Sequence, residues 1–450
     1  MNLILIIADT LRWDALGAYG SEWVRTPYLD ALAEKCLIFD RAYCGSFPTM
    51  PMRADLFTGH TVFQSIGWAP LPAGEVPLAQ RLRQQGYLTM MTTDHLQMLA
   101  PGMNYHRGFR RVEWIRGQVP DVVVTEPLSP KWPCGQEKVR NPAACEQYLR
   151  NRTLRRYERE HCGPQVVQAA IDWLERNYRH EKFFLCLDIF DTHEPWDPPR
   201  WYVDWYDPDY EGEEVIWPRY DRIDYLTQAE LRHVRALYAG TVTLLDRWLG
   251  RLFELLDWLR LWERTAVIFL ADHGFYLGEH RLIGKHTVIK PQEGWPMYEE
   301  VARIPLLMYL PGMEPSRWEV LVQPVDLMPT MLELCGCRVP EGLHGRSLLP
   351  VLRGETKTIR ELAVSSPRLP TEPEGRVYST VTDGEWTLLD AADQAPPELY
   401  HLPTDPRQER NVAAQRREVV ERLHGAYLQF LSAVGTSKER LALRQRLGEP

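Results

Sequence analysis

The 450-residue sequence contains no lysine- or arginine-rich block, and its formal net charge is −9. A nucleic-acid binder should carry a basic footprint, so no nucleic-acid partner is expected. Long hydrophobic runs are missing as well. The opening run Leu3-Ile4-Leu5-Ile6-Ile7 is five residues long, and no charged segment precedes it. It is too short for a signal peptide or a membrane span, and no other stretch reaches membrane length. The eight cysteines show no paired zinc spacing; Cys335-Gly336-Cys337 is a lone close pair. These absences predict reduced thiols, a cytoplasmic setting and no membrane partner. Internal repeats are absent too. They leave the oligomeric state open.

What is present is ordinary for a globular chain: 44% hydrophobic and 25% charged residues. Continuous apolar runs at 3–7, 87–91, 183–190, 266–270 and 304–310 read as buried parallel strands. Helical patterns lie between them. Thr26-Pro27 opens one, with threonine suited to the cap and proline to the next position. Residues 78–86 form a second, closed by glycine, and a third follows 166. The clearest covers about 228–262, where Leu244, Leu245, Trp248, Leu249, Leu252, Leu255, Leu256 and Leu259 recur at helical spacing. This stripe is core. The alternation predicts an α/β fold with a mainly parallel central sheet flanked by helices. Residues 101–165 and 197–224 show little periodicity; the former is expected to be an insertion over one face, a substrate lid. After about residue 355 the texture changes. Short strands at 360–366, 376–382 and 386–389, a hairpin signal at Thr382-Asp383-Gly384-Glu385 and a helical tail from about 412 predict a smaller α+β subdomain. The expected division is 1–355 and 356–450.

The chemistry gathers around Pro48-Thr49-Met50-Pro51-Met52-Arg53, which runs on to Leu56-Phe57-Thr58-Gly59. It reads as a nucleophile at the first turn of a helix, where free N–H groups favour an anion. Arg53 adds a guanidinium fork suited to sulfate or phosphate oxygens. Four apolar strands end on ionisable residues: Asp9, Asp94-His95, Asp191 with His193, and Asp272-His273. In open α/β sheets ligands bind at those carboxyl ends. Asp9 and Asp272 as carboxylate ligands, His273 as a nitrogen ligand and the Thr49 hydroxyl suit one divalent cation of the calcium, magnesium or manganese kind, with zinc as an alternative. Lys285 could then stabilise an oxyanion, and His193 is a candidate general acid.

The chain resembles the sulfatase family of the alkaline phosphatase superfamily. The resemblance rests on Ile6-Ile7-Ala8-Asp9-Thr10-Leu11-Arg12, Thr26-Pro27-Tyr28-Leu29-Asp30, Thr49 through Gly59, and Asp272-His273-Gly274 with Leu277-Gly278-Glu279-His280 and Lys285. Later landmarks are Asp326-Leu327-Met328-Pro329-Thr330, Gly345-Arg346-Ser347-Leu348 and Glu398-Leu399-Tyr400 with Asp405-Pro406 and Asn411. It implies an alkaline phosphatase-like fold and hydrolysis of a small anionic ester, a sulfate ester first. The implied metal, calcium first, is bound by Asp9, Asp272 and His273. Arg53 and Lys285 would hold the oxyanion, and His193 would sit by the leaving group.

Departures from the family pattern carry information. Its usual nucleophile is a cysteine or serine converted to formylglycine; Thr49 cannot undergo that conversion. Thr10 stands where the family often has a second metal-binding aspartate. Asp94-His95 stands where a lysine–histidine pair usually makes substrate contacts. A sulfated threonine lacks the exit by collapse to an aldehyde that a formylglycine hydrate has, whereas a phosphorylated threonine can be hydrolysed by metal-assisted attack at phosphorus. A phosphate mono- or diester, or a phosphonate ester, is therefore the alternative substrate. A non-catalytic anion-binding relative is a second alternative.

Overall fold

The computed structural model describes residues 1–285, 294–372 and 375–449. His286, at the end of the loop that carries Lys285, lies outside the described residues. At the centre is an eight-stranded sheet. Its strands are β1 (Asn2–Ala8), β2 (Leu37–Ala42), β3 (Leu88–Thr93), β4 (Arg111–Trp114), β5 (Phe183–Ile189), β6 (Thr265–Ala271), β7 (Leu306–Tyr309) and β8 (Ser316–Val322). Across the sheet they run β8-β2-β7-β6-β1-β5-β3-β4. β1, β5 and β6 are buried along their whole length, which explains their unbroken apolar sequences: both faces are covered by other layers. β6, β1, β5, β3 and β4 are mutually parallel, whereas β7 lies antiparallel to both β6 and β2.

Register brings the functional ends together. Ala8 pairs with Ile189 on one side and with Ala271 on the other. Asp9 and Asp272, the next residues of their strands, therefore leave the sheet side by side. The helices that flank the sheet include α1 (Pro27–Ala33), α2 (Thr49–Thr58), α3 (Cys162–Asn177) and α4 (Gln228–Trp258). α4 starts with a reciprocal cap, in which Thr227 and Glu230 each accept the other's backbone N–H. Most of its leucine and tryptophan stripe is buried, with Leu255 and Leu259 half-buried at the margin. The Thr26 hydroxyl does not cap α1. Instead the buried Asp246 of α4 accepts the N–H groups of Tyr28 and Leu29, at 3.2 and 2.7 Å.

A second sheet is built from β9 (Ala363–Ser365), β10 (Ser379–Thr382), β11 (Trp386–Asp390) and β12 (Glu398–His401), antiparallel and in sequence order. Asp383 Oδ1 accepts from Glu385 N and Trp386 N in the tight turn, where Gly384 takes φ 88°. Helix α5 (Arg417–Ala433) packs on this sheet through Leu423 and Tyr427, against Val381, Leu388 and Leu399. The two sheets are joined next to the site: Phe47 N donates to Ser366 O at 2.9 Å, and Ser366 N donates to Gly45 O at 3.1 Å. The irregular stretch 101–165 supplies edge strand β4 and the helix Pro142–Arg152. No helix among the described residues is long and apolar enough to cross a membrane. The eight cysteines are free thiols.

Candidate active site

The site lies where β1 and β6 end and α2 begins. Thr49 is the first residue of α2, and the helix closes at Gly59 with φ 72°. Pro51 falls in the first turn, where a backbone N–H would have no helical partner. The Thr49 hydroxyl is buried and lies 3.3 Å from His273 Nε2. His273 Nδ1–H donates to Gly274 O at 3.0 Å, which leaves Nε2 as a bare nitrogen. Gly274 itself is required by close approach: a Cβ there would lie 1.9 Å from Glu300 O.

Asp9 and Asp272 flank that nitrogen. One ligand-type atom from each of Asp9, Asp272 and His273 lies within 4.8 Å of the others, and all three residues are buried. Asp272 Oδ1 accepts from Thr10 N and His273 N, both at 2.8 Å. Asp9 Oδ1 accepts from the Thr10 hydroxyl at 2.7 Å, and Asp9 Oδ2 accepts from His95 Nε2 at 3.1 Å. Thr10 adopts φ 63°. Burial raises the Asp9 carboxyl, but the bond from His95 and the charges of Arg53 and Lys285 hold it well below the usual range. The Asp272 carboxyl is pushed up to about 7 by burial and by the charge of Asp9. Two buried carboxylates in this relation, one imidazole nitrogen with a free lone pair and two hydroxyls form a donor set that fits a divalent cation.

Arg53 is fully buried, and its guanidinium donates four hydrogen bonds. Nε and Nη2 donate to the two oxygens of Asp188 at 2.8 and 2.7 Å. Nη1 donates to Asp272 Oδ2 at 2.8 Å and to Thr49 O at 3.1 Å, and Nη2 lies 3.3 Å from Asp9 Oδ2. A guanidinium has five N–H donors; here four of them bond to Asp188, Asp272 and the first peptide of α2, beside the Asp9 carboxylate. Asp188 is the residue sequence reasoning missed. Its signal was present: a lone carboxylate inside the apolar run of β5 must find a cation when buried.

Lys285 completes the cluster. Its ammonium donates to Thr10 Oγ1 at 3.1 Å and lies 3.4 Å from His273 Nε2 and 4.0 Å from Asp9 Oδ1. Burial lowers its pKa, against the pull of Asp9 and Glu194. His193 Nδ1–H donates to Glu194 O at 2.6 Å. Burial and the nearby Lys285 charge hold its imidazole well below the usual range, which favours the uncharged form. His95 contacts the centre through Asp9, and its buried Nδ1 has no hydrogen-bond partner among the described residues. Asp94 is directed elsewhere: it accepts from Phe190 N at 2.8 Å and from Gln118 Nε2 at 3.5 Å. Burial and the charge of Asp191 raise it to about 8.

Comparison with known proteins places this geometry in context. The sulfatase family profile matches residues 1–337, and the profile described as N-sulphoglucosamine sulphohydrolase, C-terminal, matches residues 292–431. An arylsulfatase of Clostridium perfringens is 26% identical over 411 residues, covering 80% of each chain. Human arylsulfatase A is 29% identical over 476 residues, covering 96% of this chain and 87% of that protein. Among solved structures, the phosphonate monoester hydrolase of Agrobacterium radiobacter superposes with a TM-score of 0.75 at 21% identity, over 96% of each chain. A structure in complex with its substrate D-glucosamine-2-N,6-O-disulfate superposes with a TM-score of 0.74 at 18% identity, covering 98% of this chain and 99% of that one.

Proposed function

Because the chain belongs to the sulfatase family, we propose that it hydrolyses a sulfate ester at the centre formed by Asp9, Thr49, Asp272 and His273. The observation that carries this reading is the Thr49 hydroxyl, fixed at the first residue of α2 and 3.3 Å from a bare imidazole nitrogen between two buried carboxylates. In this reading Asp9, Asp272 and His273 hold a divalent cation, with the hydroxyls of Thr10 and Thr49 beside them. Calcium is the first expectation from the oxygen-rich set, with manganese, magnesium or zinc as alternatives. Such an ion, when bound, draws charge from the ester's oxygens and makes a neighbouring hydroxyl more acidic.

The protein's own groups do the rest. Thr49 Oγ1 attacks sulfur and gives up its proton to solvent as the bond from sulfur to the organic oxygen breaks, and water then attacks sulfur in the sulfated threonine, releasing sulfate and restoring the hydroxyl. Lys285 stays close to Thr10, His273 and Asp9 and offers its ammonium to the oxyanion. Arg53 acts one step back: it orients Asp9 and Asp272 and holds the first carbonyl of α2. His193 starts as a neutral acceptor. The arrival of an anionic substrate favours its protonation, and in that form it can donate to the departing oxygen. Asp94 lies behind this group through its bond from Phe190.

A second reading is a phosphonate or phosphate ester substrate. It is favoured by the identity of residue 49, because threonine is a plain secondary alcohol and its phosphoryl ester can be cleaved at phosphorus. One experiment separates the two readings. Metal-loaded wild type and Thr49→Ala are assayed on an aryl sulfate, a phosphate monoester, a phosphodiester and a phosphonate monoester. Turnover of the sulfate that is lost in Thr49→Ala supports the first reading, and turnover of phosphorus esters alone supports the second. Equal rates in both proteins remove Thr49 from the mechanism, and no turnover of any ester overturns both readings.

A further inference from the structure

Next to the site lies a cavity of about 610 Å³ whose lining is out of character for an acidic protein. Four arginines face it: Arg140, Arg219, Arg222 and Arg376, against the carboxylates of Asp221 and Glu398. Three of these arginines and both carboxylates have partners, Arg222 pairing with Asp224 at 3.3 Å and Arg140 lying 3.7 Å from Glu194. Asp221 pairs with Arg219 at 3.2 Å, and Glu398 accepts from the hydroxyls of Tyr298 and Tyr400. Arg376 is exposed and makes no ion pair among the described residues. The wall also carries the rings of Tyr220, Tyr298 and Tyr378, with Leu282 and Pro296.

Two contacts tie this cavity to the candidate active site. The Arg140 guanidinium stacks on the Tyr220 ring at 3.9 Å and lies 3.7 Å from Glu194 Oε1, which also accepts from the Tyr220 hydroxyl and from Trp217 Nε1. The other oxygen of the same carboxylate is 3.3 Å from His193 Nδ1. One buried carboxylate thus separates the histidine placed at the leaving group from an arginine-lined chamber. The leaving group is the organic part of the ester, so the chamber is where that part would extend.

We propose that this cavity is a subsite for a second anionic group on the substrate, a sulfate or carboxylate carried by the same organic body as the cleaved ester. The inference rests on the hydrolase reading above. Arg376 supplies the charge, and the tyrosine rings cover the flat or ring-shaped part between the two anions. Arginine suits the task because its planar fork matches both oxyanions. A cavity of this size admits a group as large as one sugar or one substituted aryl ring.

The test compares two pairs of compounds. The first is an aryl monosulfate and the same aryl ring bearing sulfates at two positions, with a sulfate–carboxylate analogue as a third arm. Expected for wild type is a higher kcat/KM for the dianionic esters. In Arg376→Ala that selectivity ratio should fall at least tenfold, while in the control Arg338→Ala, an exposed arginine paired with Glu341, it should hold. A larger fall with the disulfate than with the carboxylate analogue identifies sulfate as the second anion, and the reverse identifies carboxylate. An unchanged ratio in Arg376→Ala overturns the proposal. The second pair, an aryl monosulfonate and disulfonate that cannot be hydrolysed, is titrated calorimetrically. If wild type cleaves no ester, the hydrolase reading fails. The subsite then stands only if Arg376→Ala weakens the disulfonate at least tenfold more than the monosulfonate, and it falls if both weaken equally.

Discussion

Arg53 and Asp188 form a two-pronged ion pair with no solvent exposure, the guanidinium of α2 meeting a carboxylate from the middle of the sheet at 2.8 and 2.7 Å. The pair fixes where the remaining N–H groups of Arg53 point, toward Asp272, Asp9 and the carbonyl of Thr49. The orientation of Asp9 and Asp272 therefore depends on Asp188, a residue outside the candidate ligand set.

Asp188→Asn should weaken the centre from behind. Removing one partner of a buried pair costs about 3–5 kcal/mol, because the other charge is left uncompensated. Urea unfolding should show that loss, and mass-spectrometric metal analysis should show less bound ion. Arg53→Lys should fail similarly, since an ammonium cannot span two oxygens of Asp188 and still reach Asp272. Wild-type stability and metal content in both variants would remove the pair from its positioning role.

Chelation of the loaded protein should abolish ester turnover and lower Tm, and the cation should restore both, since an ion bound by the native state alone stabilises it by mass action. Asp272→Ala should lose the ion. A full stoichiometry of metal in that variant would show that Asp272 is not a ligand.

Gly274→Ala tests how His273 is aimed. The added methyl would sit 1.9 Å from Glu300 O, a backbone atom that cannot rotate aside. A shift of the chain is forced, at a cost of roughly 1–3 kcal/mol typical of overpacking. Thermal unfolding should register the loss, and metal affinity should fall with it because His273 is the adjacent residue. A wild-type Tm would mean that the Glu300 segment yields freely.

Far from the centre, Asp390 gives a pH dependence of defined sign. It is buried on β11, where its oxygens accept from Arg444 at 3.1 Å, from Ala392 N at 2.7 Å and from His424 at 2.7 Å. Burial raises the carboxyl, but Arg444 and His424 outweigh it and hold it below the usual value. A depressed carboxyl stabilises the fold above its unfolded pKa, about 3.9, and that contribution is lost as pH falls through the lower folded value. Asp390→Asn should therefore lower Tm at pH 7 and approach wild type as pH drops below about 4. A constant difference from pH 7 to 3 would rule out titration of Asp390 as the source.

The central strands and the candidate ligands were legible in the sequence because the same physics writes both. β1, β5 and β6 are buried on two faces, so their apolar runs are unbroken, and each run ends where a polar residue can leave the sheet. β2, β4 and β8 were not read. Leu37–Ala42 contains Asp40 and Arg41, while Arg111–Trp114 and Ser316–Val322 are outermost strands with much exposed surface, so their sequences resemble loops. The direction of β7 was also hidden, because an apolar run reads the same whichever way it is threaded. At the site, the strand-end residues Asp9, Asp272 and His273 lie together, with Thr49 of the helix start and Lys285 of the following loop beside them. The engagement of Arg53 was not visible, since its partner Asp188 comes from a distant segment and only the folded register brings the two together.

Thr10 sits at φ 63°, in a region that a β-branched residue occupies only under constraint. Such a conformation costs about 1–3 kcal/mol. The same turn of the backbone sends its N–H to Asp272 and sets its hydroxyl between Asp9 and Lys285. Glycine would relieve the strain and delete the hydroxyl in one step. Position 10 is thus a place where selection for heat resistance and selection for turnover pull apart: a library screened only for survival at high temperature should drift toward glycine there, and one screened for catalysis should keep threonine.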